Sequence, residues 1–303
     1  MTGKEKALER IRLNRKTAEK TLLDGVERMR EDDFFDALYR KNNALKWEYI
    51  RCRDEQKRAG IDAEIQSTEK ALDEYMRKNG ILVSAFRAPY SCKKCDDTGK
   101  DKNGNDCTCV EKTRLAIFLE ENATYIKDVA ETLQEIDFSY YGKEAEAKKK
   151  IAGILQKEDV QKDKRFFLFA GKTGTAKTYF ASVFLRELLQ KGKDIKATSA
   201  IRLNRGFLEY HCAPMEKKNA LWNEWIEPDA LLIDDLGAEQ VLNNVTIPYL
   251  LELLTERTGK ITILTTNLSP TDLEQKYGQR ILSRLLDKKL SCPILFGGSD
   301  LRF

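Results

Sequence analysis

The run Gly171, Lys172, Thr173, Gly174, Thr175, Ala176, Lys177, Thr178 carries the clearest chemistry in the sequence. It matches the phosphate-loop pattern G-x-x-x-x-G-K-[ST] except at Ala176, which stands where the pattern has its second glycine. In such a loop the backbone N–H groups and the start of the next helix surround the phosphates of a nucleotide. Gly171, Thr173, Gly174, Thr175 and Ala176 would form that cradle, Lys177 would reach the β- and γ-phosphates, and Thr178 would ligate Mg²⁺. Ala176 adds one methyl group. A φ near the helical region tolerates it, whereas a positive φ would strain the loop by about 1 kcal/mol. A glycine-rich turn with no ligand is the alternative.

Three further groups fit the same chemistry. "LLIDDLGAE" places Asp234 and Asp235 at the end of an apolar run, where an open α/β sheet binds its ligands. Asp234 would hold Mg²⁺, and Asp235 could orient or deprotonate an attacking water. Asn267 follows "ILTT", where its amide could position water near the γ-phosphate; a turn-forming asparagine is the other reading. Arg280 and Arg284 share one helix face, and Arg302 stands near the end of the sequence. Arginine beside a transferring phosphoryl group stabilises the transition state, although each could form a surface salt bridge instead.

Cys92, Cys95, Cys107 and Cys109 form a C-x2-C-x11-C-x-C cluster. Four thiolates suit tetrahedral Zn²⁺ in a structural site, with reduced thiols in a loop or an iron–sulfur cluster as alternatives. Cys52, Cys212 and Cys292 are scattered, and His211, the one histidine, excludes chemistry built on paired histidines.

These residues need elements to hold them. Residues 1–80 read as a helical arm, with apolar series at Leu8, Ile11, Ala18, Leu22, Val26 and Met29, and at Ile61, Ile65, Thr68, Leu72 and Tyr75. Gly80 is a stop signal. This arm is either a self-contained hairpin or a docking element for a partner protein. Residues 81–112 break the helical pattern and carry the cysteines, as a small zinc module. Residues 113–142 read as a helical linker ending at Gly142. Residues 143–303 alternate strands and helices, with strands at "RFFLFAG", "DIKATSA", "DALLIDDLG", "ITILTTN" and "CPILFGG". The expected fold is therefore α/β, a parallel sheet flanked by helices, preceded by an α-helical N-terminal domain.

Of 303 residues, 34% are charged and 41% hydrophobic, with a net charge of +4. No stretch approaches the ~18 apolar residues of a membrane span, and the N-terminus lacks a signal-peptide core, so the expectation is a cytoplasmic protein with no membrane partner. The net charge does not by itself identify a nucleic-acid binder.

The order "GKTGTAKT", "LLIDD", "TTN", "GQRILSRLL", "GGSDLR" resembles AAA+ ATPases, and in particular bacterial replicative helicase loaders of the DnaC/DnaI type. The resemblance covers about residues 135–303, including "IDFSYY" upstream. It implies ATP and Mg²⁺ as ligands, with Lys177 and Thr178 as Walker A residues, Asp234 and Asp235 as Walker B, and Asn267 as sensor 1. It makes Arg284 an arginine finger acting on a neighbouring subunit's ATP, with Arg280 close to the nucleotide and Arg302 as sensor 2. The ATPase domain would lack the C-terminal lid of larger AAA+ proteins. Ala176 has counterparts in MCM helicases and MoxR-type ATPases. Asp235 replaces the glutamate of fast AAA+ ATPases, which implies slow hydrolysis with ATP as an assembly switch.

The implied partners are a hexameric replicative DNA helicase, bound through residues 1 to about 110, single-stranded DNA, and further copies of the chain through their ATPase domains. Loaders of the DnaI type also carry zinc in their N-terminal region. "SAIRLNRGFLEY" would face DNA with Arg202, Arg205, Phe207 and Tyr210, although an ordinary amphipathic helix fits it equally. The rival readings are a transposase-helper ATPase of the IstB type and a zinc adaptor that binds ATP without hydrolysing it.

Overall fold

The computed structural model describes residues 2–80, 88–298 and 300. It divides into two compact units, one formed by Met1–Lys6 with Arg114–Phe303 and the other by Ala7–Thr113.

The smaller unit takes α1 (Gly3–Met29) from Ala7 onward, together with α2 (Asp33–Arg51) and α3 (Glu55–Lys78), all long helices. Aspartates start two of them. Asp32 accepts from the Phe35 N–H, and Asp54 from those of Gln56 and Lys57. The apolar stripes behave as their spacing predicts: Ile11, Ala18 and Val26 are buried on α1, and Ile65, Thr68 and Leu72 on α3. Phe35 is fully buried between α2 and α3, with its ring against Tyr39 and Tyr75. Gly80, at φ 69°, follows the end of α3.

After its short N-terminal piece, the larger unit resumes at Arg114 within α4 (Thr108–Glu121), followed by α5 (Ala123–Ile126). Here the expected helical linker fails beyond Ile126. The buried Asn122 breaks the helix, and its Oδ1 accepts from the Ala197 N–H at 2.7 Å. Residues 127–137 then run as turns that still bury Leu133 and Ile136, so apolar spacing alone mimicked a helix. Asp137 starts a 3₁₀ segment, Phe138–Glu144.

Next come α6 (Ala145–Gln156), α7 (Glu158–Asp163), β1 (Phe166–Gly171), α8 (Lys177–Gln190) and β2 (Ile195–Ser199). They are followed by α9 (Ala200–Cys212), α10 (Met215–Ile226), β3 (Ala230–Leu236), α11 (Thr246–Glu256) and β4 (Ile261–Thr266). The order closes with α12 (Pro270–Tyr277), α13 (Gln279–Leu285) and β5 (Ser291–Phe296). All five expected strands form one parallel sheet in the order β2-β3-β4-β1-β5.

Alternation along the strands feeds two cores. Phe167, Phe169, Leu232 and Ile263 pack with α6 and α8 on one face, while Phe166, Leu168, Leu231, Ile233 and Leu264 pack with α9, α10, α11 and α13 on the other. Apolar residues on both faces of each central strand are what a parallel sheet covered by helices demands. The C-terminal ends of β1, β3 and β4 consequently meet at one edge.

The opposite edge is tied together by Arg257, which is fully buried. Its guanidinium donates to the carbonyls of Trp225 and Pro228 at 2.9 Å, to that of Ile261 at 2.6 Å, and to Thr262 Oγ1 at 3.0 Å. Arg257→Met should therefore lower unfolding free energy by about 3 kcal/mol or more, because buried carbonyls lose their donor. Urea unfolding at unchanged m-value is the measurement.

Candidate functional site

The phosphate loop joins β1 to α8 as its sequence requires. Gly171 pairs with Phe296 on β5, and a Cβ there would run into the Phe296 carbonyl. Ala176 sits at φ 69°, ψ 18°, the left-handed region, just before Lys177 opens α8. The strained alternative is thus the one adopted, at about 1–2 kcal/mol for an L-residue. The Lys177 ammonium, almost wholly buried, donates to the carbonyls of Gly171 at 2.9 Å and Lys172 at 2.7 Å and to Asn267 Oδ1 at 2.8 Å. The expected sensor amide and the expected phosphate-binding lysine therefore meet.

Asp234, at the end of β3, is also buried. Its Oδ1 accepts from Thr178 Oγ1 at 2.8 Å and Thr265 Oγ1 at 2.6 Å. Burial holds its carboxyl above the ordinary range, against the two hydroxyl hydrogen bonds, which favour the ionised form. The β3–β4 register shifts between Ile233 and Leu236, and Asp235 takes a φ of 54°. This bulge leaves Asp235 exposed beside its buried neighbour. Thr173, Gly174, Ala176, Lys177, Thr178, Tyr179, Asp235 and Asn267 line a cleft of about 330 Å³. A hydroxyl and a carboxylate side by side are hard-oxygen ligands of the kind Mg²⁺ takes with nucleotide phosphates.

Three contributors carried no sequence signal. Thr265 donates to the Asp234 carboxylate and accepts from the Asp235 backbone N–H at 2.9 Å, linking β4 to the side chain of one aspartate and the main chain of the next. Tyr179 lines the cleft one residue past the loop motif. Tyr125, on α5, has its phenol pushed up to about 12 by burial and by the nearby Asp234 charge.

Other expected residues stand apart from the cleft. Arg280 is exposed and Arg284 half-buried on α13, and neither lines it. Arg302 lies outside the described residues. On α9, Arg202 and Arg205 are exposed, but Phe207 is buried in the core and Tyr210 packs on Trp222 and Tyr249. The expected stacking role of Phe207 is therefore corrected, since its ring face is consumed by packing. His211 Nδ1 lies 2.9 Å from the Tyr249 hydroxyl, away from the cysteine cluster in sequence and use.

In the smaller unit, the sulfurs of Cys92, Cys95, Cys107 and Cys109 all lie within 4.8 Å of one another. Cys92 and Cys107 are 3.9 Å apart, Cys95 and Cys109 3.5 Å. Zn–S bonds of about 2.3 Å in a tetrahedron give sulfur separations of about 3.8 Å, so the donor set fits a four-coordinate metal ion. The buried Asp97 shapes the first turn, accepting from the N–H groups of Ser91 and Cys92 at 2.8 Å. The Cys107 N–H donates to Gly99 at 2.9 Å and closes the second half onto the first. The Cys109 backbone N–H holds the Cys107 thiol below the usual thiol range.

Thr265→Val should lower stability by about 1–2 kcal/mol and weaken Mg²⁺-dependent nucleotide binding, because the Asp234 carboxylate loses one donor while Thr178 keeps the other. Urea unfolding and calorimetric titration with nucleotide, with and without Mg²⁺, read the two effects separately.

No curated protein is matched by the sequence. Among solved structures, AMPPCP-bound DnaA from Aquifex aeolicus is 19% identical, with a TM-score of 0.43, over 57% of this chain and 52% of that one. The chain thus spans about half the length of that DnaA. The DnaC helicase loader is 22% identical over 50% of this chain and 89% of that one, with a TM-score of 0.42. DnaI is 23% identical over 56% and 90%, also with a TM-score of 0.42. A family model described as IstB-like ATP binding protein matches residues 111–293, more than half of the sequence. The phosphate loop, both aspartates and Asn267 all fall within that span, and the chain belongs to the IstB-like ATP-binding family.

Proposed function

We propose that the protein is an AAA+ ATPase that loads a hexameric replicative helicase onto single-stranded DNA, using ATP binding and slow hydrolysis as an assembly switch. The observation that carries the ATPase part is the convergence of Lys177, Thr178, Asp234 and Asn267 on one cleft. In this reading Lys177 exchanges its carbonyl partners for the β- and γ-phosphates, and Asn267 orients the attacking water. Thr178 and Asp234 would hold Mg²⁺, which neutralises phosphate charge. Asp235 faces the open side and would accept the water proton.

Arg284 and Arg280, standing outside their own chain's cleft, suit a finger role toward a second copy, and Arg302 a sensor role. The exposed Arg202 and Arg205 suit the DNA backbone. We assign Zn²⁺ to the four cysteines and the helicase contact to the smaller unit. The sequence resemblance to DnaC/DnaI loaders and the cysteine cluster support loading. The family match favours a second reading, a transposase-helper ATPase.

Native mass spectrometry with the replicative helicase of the same host, with and without ATP, tests the choice. Several copies bound per hexamer are expected. No complex in either condition would sink the loader reading and direct the test to a transposase on DNA.

Asp235→Asn should lower kcat by about 10²-fold while leaving ATP affinity within a few-fold, as loss of a general base does. Steady-state ATPase assays with the partner present measure it. Metal analysis should find one zinc per chain, lost in Cys95→Ser, with a lowered unfolding temperature for the smaller unit.

A further inference from the structure

Lys148 lies near the start of α6 and is fully buried. A cation there gains nothing from the helix dipole, which is positive at that end. Burial also pushes its ammonium down, with Glu144 opposing. What it touches explains its place. Nζ donates to the Thr175 carbonyl of the phosphate loop at 2.9 Å and to the Gly297 carbonyl just past β5 at 3.2 Å. It also stands 4.8 Å from the centre of the Phe296 ring.

The Thr175 carbonyl belongs to the same planar peptide as the Ala176 N–H. In a trans peptide these two groups point in opposite directions. An ammonium gripping the carbonyl from inside the protein therefore turns the Ala176 N–H outward, toward the cleft. It does so at the one loop position that lacks the glycine suited to its left-handed φ of 69°.

We propose that Lys148 is a positioning residue for nucleotide binding, holding the 175–176 peptide in its phosphate-facing orientation and so allowing alanine at position 176. The inference rests on the cleft being a nucleotide site. Its prediction is coupling between the two positions, which a lysine serving stability alone would not show.

The test is titration of the full chain with ATP and Mg²⁺, with unfolding temperature measured in parallel. Lys148→Met should bind about tenfold more weakly, the loss of a charge-assisted hydrogen bond. Adding Ala176→Gly in that background should recover most of the affinity, because glycine adopts the left-handed φ without the strain that the grip offsets, while the unfolding temperature stays lowered. If Lys148→Met fails to fold, Lys148→Gln keeps one donor, and the same recovery by Ala176→Gly is required. Binding unchanged in the folded Lys148 variant, or a loss that Ala176→Gly does not recover, would overturn the inference. Failure of the unmutated chain to bind ATP, with Lys177→Ala as the reference for lost binding, would instead overturn the reading of the cleft and take this inference with it.

Discussion

One carboxylate oxygen, Asp234 Oδ1, receives hydroxyls from two elements, Thr178 on α8 and Thr265 on β4. A buried charge of this kind is tolerated only when hydrogen-bonded, so three chain segments must come into register to satisfy it. They do so because β1, β3 and β4 are parallel and adjacent, with β4 lying between the other two. Helix α8 starts where β1 ends, which brings Thr178 to Asp234 and Lys177 to Asn267. The rest of the larger unit, two apolar cores and a clamp at the far sheet edge, keeps those strand ends level.

Much of this was legible in the sequence. Apolar runs bounded by glycine or charge located all five strands, and the loop motif fell on the cleft at the ends of those strands, because such a loop restricts both residue type and spacing. Other features escaped because they depend on contacts between distant segments. Thr265 reads as an ordinary β-branched strand residue, and only the fold shows its hydroxyl meeting Asp234. Lys148 is one of three consecutive lysines, and nothing in the run tells which of them turns inward. Phe207 stays open between its two readings, because an aromatic two residues after an arginine looks the same whether its ring faces solvent or core. The conformation of Ala176 could be posed as two alternatives but not decided, since φ is set by the geometry on both sides of the loop.

The linker shows a different failure. Residues 127–137 keep helical apolar spacing, yet Arg186 of α8 donates to the carbonyls of Ile126 and Val129, and Glu187 accepts from the Leu133 N–H. Tertiary hydrogen bonding overrode a periodic pattern, and Leu133 and Ile136 reached the core by turns instead. Helix α10 has the opposite character: its two buried tryptophans are too few to set a period in a segment otherwise rich in charge.

Asp97 carries a consequence for the cysteine loop. Its carboxylate fixes the backbone around Cys92 through two N–H groups, and the Gly99–Cys107 hydrogen bond fastens the second cysteine pair to the first. These bonds involve no sulfur, so the turn has its shape from the polypeptide itself. A metal ion held there, as proposed, would meet ligands already partly ordered by these bonds, so less of its binding energy would go into ordering them.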